Sequence, residues 1–145
     1  MKLDFTSLIR QKRLRPREKD IEKIKSLISS AKNNVEVVLS ISLNEKNATV
    51  IFREFYESIR QLGDAFFWLE GYEPLDHVLS LESLKDLDIK ERVKLNFLDR
   101  FKQIRHDANY RGFMVSTLQA KEIIDFWGKC GEEIIKLLLN KCNRR

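Results

Sequence analysis

Apolar residues recur along most of this chain at alternating spacings of three and four, and each such run marks one face of a helix. The first run joins Ile21, Ile24, Ile28, Ala31, Val35 and Val38. It predicts a helix from about Pro16 to Ser42, with Pro16 in the first turn, where a missing N–H costs nothing. The second joins Phe52, Phe55, Ile59, Leu62, Phe66 and Leu69 and predicts a helix from about Asn47 to Glu70. Gly63 interrupts that run. A glycine there costs about 1 kcal/mol relative to alanine, so it predicts a close approach by a neighbouring helix. Gly71 and Pro74 then stop the element. A shorter helix is expected from His77 to Leu84. Asp88-Ile89-Lys90-Glu91 places a capping Asp three residues before a Glu and opens a helix to about Asn109. Its stripe is Val93, Phe97, Phe101, Ile104 and Ala108, and Gly112 ends it. Ser116-Thr117-Leu118-Gln119 repeats the capping pattern before a last helix to about Asn140, striped by Ala120, Ile123, Trp127, Cys130, Ile134 and Leu137. Strand-like alternation shows only weakly, at Phe113 to Val115.

Four long amphipathic helices with short connections predict an all-α fold, an antiparallel four-helix bundle with an additional short helix. Residues 1–15 form a basic N-terminal segment, and residues 16–142 a single bundle domain. Phe52, Phe55, Phe66, Phe67, Trp68, Phe97, Phe101, Phe126 and Trp127 supply the core. The last helix carries a second apolar set, Ile124, Phe126, Ile135, Leu138 and Leu139, which predicts a self-association face and a homodimer.

Composition narrows the class. The chain has 145 residues, 43% hydrophobic and 34% charged, which suits one packed domain and excludes a disordered chain. The net charge of +5 permits contact with RNA or an acidic partner without requiring it. Part of the excess sits at Lys12, Arg13, Arg15 and Arg17 and at Arg144 and Arg145. Cys130 and Cys142 match no zinc spacing, and Cys130 falls on an apolar stripe as a small hydrophobe. His77 and His106 have no ligand spacing to carboxylates or thiols, so no metal site is expected. No apolar run is long enough for a signal peptide or a membrane span, so a soluble, cytoplasmic protein with no membrane partner is expected.

Candidate chemistry concentrates in Ile104-Arg105-His106-Asp107-Ala108-Asn109-Tyr110-Arg111-Gly112. A solvated helix face would carry Lys and Glu; this one carries Arg, His, Asp, Asn and Tyr. The plain reading is that these groups cap a helix end. The functional reading is phosphate binding or phosphodiester cleavage, which a planar guanidinium beside an imidazole suits. Arg105 and Asn109, four apart, share a face. Arg105 stands four after Phe101 and three before Ala108, at the edge of the core stripe, where a half-buried guanidinium needs an anionic partner. Arg100 and His106 point about 120° apart on one straight helix. Asp107 suits a cap or a pair with Arg111. His77 suits a cap or core edge, and Tyr56, Glu57 and Arg60 lie where they could flank Arg105.

The Ile104–Gly112 segment, the helix Phe52-Arg53-Glu54-Phe55-Tyr56-Glu57-Ser58-Ile59-Arg60, the break Gly71-Tyr72-Glu73-Pro74 and the His soon after it together resemble the HEPN domains. These are small prokaryotic helical proteins often encoded beside a minimal nucleotidyltransferase. The resemblance covers about residues 16–140 and implies a metal-independent endoribonuclease, the toxin of a toxin–antitoxin pair, needing no cofactor. The family's motif is an Arg, a polar residue, a few more residues and a His. Arg105 matches the Arg and His106 the polar residue, while Tyr110 stands where the closing His would fall. A looser frame runs from Arg100 to His106. The resemblance thus implies Arg105, His106 and Tyr110 as the catalytic set, at a two-fold interface. Arg105, Asn109, Arg100 and Arg111 would contact phosphate or RNA. The alternative is a non-catalytic HEPN bundle that binds a nucleotidyltransferase partner or a nucleotide.

Overall fold

The computed structural model describes residues 3–144; Met1, Lys2 and Arg145, parts of the N-terminal segment and of the terminal basic pair, lie outside them. The chain is mostly helical. In order it forms α1 (Phe5–Arg10), β1 (Leu14–Pro16), α2 (Ile21–Leu39), α3 (Ala48–Leu69), β2 (Tyr72–Pro74), α4 (His77–Glu82), a 3-10 turn (Arg92–Asn96), α5 (Phe97–Tyr110), α6 (Thr117–Phe126), a π turn (Trp127–Gly131) and α7 (Glu132–Cys142). Helix α3 is the hub and touches α2, α4, α5, α6 and α7. Its apolar face buries Phe52, Phe55, Ile59 and Leu62, as the spacing predicts. No described helix is long and apolar enough to cross a membrane.

Gly63 meets the expectation of a close approach. A Cβ at that position would lie 1.9 Å from the Ser80 carbonyl oxygen, so only glycine lets α4 settle on α3. The last helix also begins as predicted. The Gln119 backbone N–H donates to Ser116 Oγ at 3.1 Å, and the Ser116 N–H donates to Gln119 Oε1 at 3.0 Å.

The structure departs from the sequence at several places. Pro16 does not start a helix. It ends β1, which pairs antiparallel with β2 so that Leu14, Arg15 and Pro16 face Pro74, Glu73 and Tyr72. Prolines are tolerated at the edge of such a ribbon, and the helix starts only after Asp20, whose carboxylate accepts from the Lys23 N–H at 3.1 Å. Residues 3–15, the described part of the basic N-terminal segment, pack on the rest of the chain. Leu8 and Leu14 are buried with Phe67 and Leu79, Arg13 pairs with Asp76 at 2.7 Å, and Arg15 and Arg17 share the Glu73 carboxylate. The residues of the weak strand signal, Phe113 to Val115, are loop.

Nor does Asp88 open a helix. Leu87 and Ile89 are buried, and the Lys90 N–H donates to the Glu133 carboxylate of α7, so tertiary contacts override the local capping pattern. The helix begins at Phe97 instead, and Val93, expected in its core stripe, is 76% exposed. The face that packs runs through Leu98, Phe101, Ile104 and Ala108, with Arg105 half-buried beside it. Finally, Phe126, Ile135 and Leu138, three of the five residues of the second apolar set on the last helix, are buried within the single chain. Their burial takes these three out of the self-association face expected of this helix, while Ile124 and Leu139 stay half-buried. Trp127 packs its ring where a Cβ on Gly131 would sit, 2.8 Å from Cδ2.

Candidate functional site

Helix α3 carries a polar row beside its apolar stripe: Arg53, Glu57, Arg60 and Asp64, spaced four, three and four. That spacing holds all four on one face. Helix α5 runs alongside and presents Arg105, Asn109 and Tyr110. Between them lies an open cleft of about 550 Å³ lined by Arg53, Glu54, Glu57, Arg105, Asn109 and Tyr110.

Arg60 organises the row. Its Nε donates to Glu57 Oε2 at 3.0 Å and its Nη1 to Asp64 Oδ2 at 2.8 Å, while Nη2 reaches the other Glu57 oxygen. Ser80 of α4 donates its hydroxyl to the second Asp64 oxygen. Two consequences follow for protonation. The hydrogen bonds from Arg60 hold the Glu57 carboxyl below its ordinary range, against burial and with help from the charges of His77 and Arg105. Burial pushes the Asp64 carboxyl up, with Ser80, Arg60 and His77 opposing.

With both Glu57 oxygens taken by Arg60, Arg105 has no carboxylate within 4 Å and no hydrogen-bond partner among the described residues. Its guanidinium lies over the Tyr56 ring, Cζ 5.3 Å from the centroid. Tyr56 is buried beneath it, and burial raises the phenol against the pull of Arg105 and Arg60. A half-buried guanidinium is thus stacked on one face and open to the cleft through its donor edge. Five N–H donors without acceptors suit a phosphate or carboxylate from outside. Arg53 lines the same cleft, with Glu54 as the carboxylate not engaged by Arg60.

The sequence-predicted residues divide. Arg105, Asn109 and Tyr110 meet in the cleft. His106 is exposed and stands outside the lining, yet its ring is 4.9 Å from that of Tyr110, so Tyr110 links the cleft to the imidazole. Arg100 is elsewhere: it donates to Glu122 of α6 through Nε at 2.7 Å and Nη2 at 3.0 Å. Arg111 sits at the tip of α5, 3.9 Å from Asp107 and with Cζ 5.7 Å from the Phe113 centroid. Asp107 therefore makes the pair expected of it. His77 opens α4, but Asp76 is the residue that caps it, accepting from the Val78 N–H at 2.9 Å.

Tyr56, Glu57 and Arg60 lie beside Arg105 as the sequence suggested, whereas Arg53, Glu54, Asp64 and Ser80 had not been marked as site residues. A signal existed: a charged row at the same three-four spacing as the core stripe, displaced to one side. Among the described residues no group of three or more His, Cys, Asp or Glu is placed to hold a metal ion. Both cysteines are buried, and burial pushes the Cys130 thiol up to about 11, which makes it unreactive at neutral pH. In comparisons with known proteins, no family model, no curated protein and no solved structure matches the chain.

Proposed function

We propose that this chain is a HEPN-like four-helix bundle, built from α2, α3, α5 and the α6–α7 rod, that binds the phosphate of an RNA or nucleotide in the α3–α5 cleft. The observation that carries the reading is Arg105: half-buried, stacked on Tyr56, and without an ion pair or hydrogen bond among the described residues. Its donors face the open cleft and make no bond within the described chain, and a phosphate seated between Arg105, Arg53 and Asn109 would take them.

A second reading makes the same cleft catalytic. Cleavage through a 2′-hydroxyl needs a proton acceptor, a proton donor and positive charge on the phosphate. Arg105 supplies the charge. An imidazole can both take and give a proton, and the His106–Tyr110 contact at the cleft rim is what favours this reading. Because His106 stands outside the lining, the reaction calls for a second copy across a two-fold axis to bring its imidazole to the phosphate. A nucleotidyltransferase antitoxin would then be the partner that covers the cleft.

Fluorescence anisotropy with a labelled 12-nucleotide RNA separates these readings when the same RNA is also run on a denaturing gel. Binding is expected with or without cleavage. Arg105→Ala should weaken it at least about tenfold, the scale of a lost charged hydrogen bond, with an unchanged circular dichroism spectrum. Arg105→Lys should restore little, since lysine lacks the planar fork. RNA and nucleotide binding that is absent, or indifferent to Arg105→Ala, would overturn the proposal. Cleavage that disappears in His106→Ala would promote the second reading.

A further inference from the structure

The tip of α5 and the loop to α6 expose large apolar side chains that a folded chain normally covers. Tyr110 is 72% exposed, Phe113 57%, Met114 72% and Leu118 66%, all within nine residues of sequence. Single exposed apolar residues are ordinary; a run of this density marks a binding surface. The loop is held in place: the Val115 N–H donates to Thr49 Oγ1 at 3.0 Å, and the Arg111 and Phe113 N–H groups both donate to the Asp107 carbonyl. The rings are thus presented on an anchored backbone.

A guanidinium and an imidazole accompany these rings. Arg111 lies over Phe113, and His106 packs against Tyr110. Tyr110 also borders the cleft that holds Arg105 and Arg53. Of the carboxylates nearby, Glu57 is held by Arg60, and Asp107 accepts from Gln103 at 3.0 Å and lies 3.9 Å from Arg111. Glu54 remains. The surface therefore combines flat aromatic faces with guanidiniums, which is the chemistry of sites that stack unpaired bases while tracking a backbone. A protein partner would be met by the apolar side chains but would leave the arginines of the cleft without a role.

We propose that Tyr110 and Phe113 form a base-stacking platform for single-stranded RNA, with Met114 and Leu118 as its apolar border, continuous with the Arg105 cleft. This rests on the reading of that cleft as a phosphate site and adds to it a preference for unpaired bases. Duplex RNA hides its base faces and cannot use the platform.

Three 12-nucleotide probes test this by anisotropy: single-stranded oligoadenylate, a strand of the same length with abasic riboses, and a 12-base-pair duplex. The wild-type protein should bind oligoadenylate at least about fivefold tighter than the abasic strand, the low end of one stacked base. It should also favour oligoadenylate over the duplex. Phe113→Ala should remove that advantage and leave abasic binding unchanged, while Phe113→Trp should retain it. Arg105→Ala should weaken oligoadenylate and abasic strands alike. If wild type binds all three probes equally and Arg105→Ala abolishes each, the platform falls and the phosphate site stands. If no probe binds, both fall. If Phe113→Ala leaves RNA affinity unchanged but converts a sedimenting dimer to a monomer, the surface is a protein interface and the platform is overturned.

Discussion

Individual residues decide where this fold can close and what its cleft can hold. Gly63 gives the sharpest case, because the obstacle to a side chain there is the Ser80 backbone and not a movable side chain. Gly63→Ala should cost about 3 kcal/mol or more, beyond ordinary overpacking, read as a lower urea midpoint. Arg60 has a double role. It pairs with the partly buried Asp64 and occupies the Glu57 carboxylate beside Arg105. Arg60→Ala should therefore cost about 3 kcal/mol, the effect of stranding a buried charge. It should also weaken RNA binding, because the released Glu57 becomes a competing anion in the cleft. Adding Asp64→Asn should recover stability but not binding. Recovery of both together would mean that Arg60 acts through folding alone.

At the scale of elements, local rules hold where no tertiary contact competes. The box at Ser116 and Gln119 forms as the sequence implies, and Ser116→Ala should cost about 1 kcal/mol in thermal or urea unfolding. An equally good pattern at Asp88–Glu91 fails because Leu87 and Ile89 enter the core and Glu133 captures the Lys90 N–H. The helices with undisturbed three-four spacing, α2 and α3, were legible to within a few residues at most ends. The ribbon of β1 and β2 was not, since three-residue strands containing a proline carry no alternation to read. Their pairing rests on Glu73 and Asp76 binding arginines more than fifty residues away. The π turn was equally hidden. The Trp127 ring lying against Gly131 within it is a contact along the helix that apolar spacing does not encode.

For the whole molecule, the sequence located one wall of the candidate site. Arg105, Asn109 and Tyr110 follow from helical geometry on α5. The facing wall depends on which side of α3 turns toward α5, and that is set by packing of the entire chain; hence Glu57 and Arg60 could be named as neighbours of Arg105, but Arg53, Glu54 and the links from Arg60 to Asp64 and Ser80 emerged only in three dimensions, and Arg100 went to Glu122. The same network gives stability a pH signature. Glu57, with its folded value lowered, contributes stability above about 4.5 that is lost as pH falls through its folded value. Asp64 has the opposite sign: its value is raised above 3.8, so its burial cost is present at neutral pH and is relieved on acidification. The stability of wild type relative to Asp64→Asn should therefore rise as pH falls from neutral towards the ordinary value of 3.8, measured by urea unfolding; a flat or falling difference would contradict the assigned burial. The central claim is that Arg105 is an open phosphate ligand while Arg100 is structurally engaged. Nitrogen-15 spectra of the arginine Nε–H groups during titration with the 12-nucleotide RNA test it most directly. The account predicts shifts at Arg105 and Arg53 with Arg100 unmoved; shifts at Arg100 alone, or at neither Arg105 nor Arg53 despite binding, would contradict it.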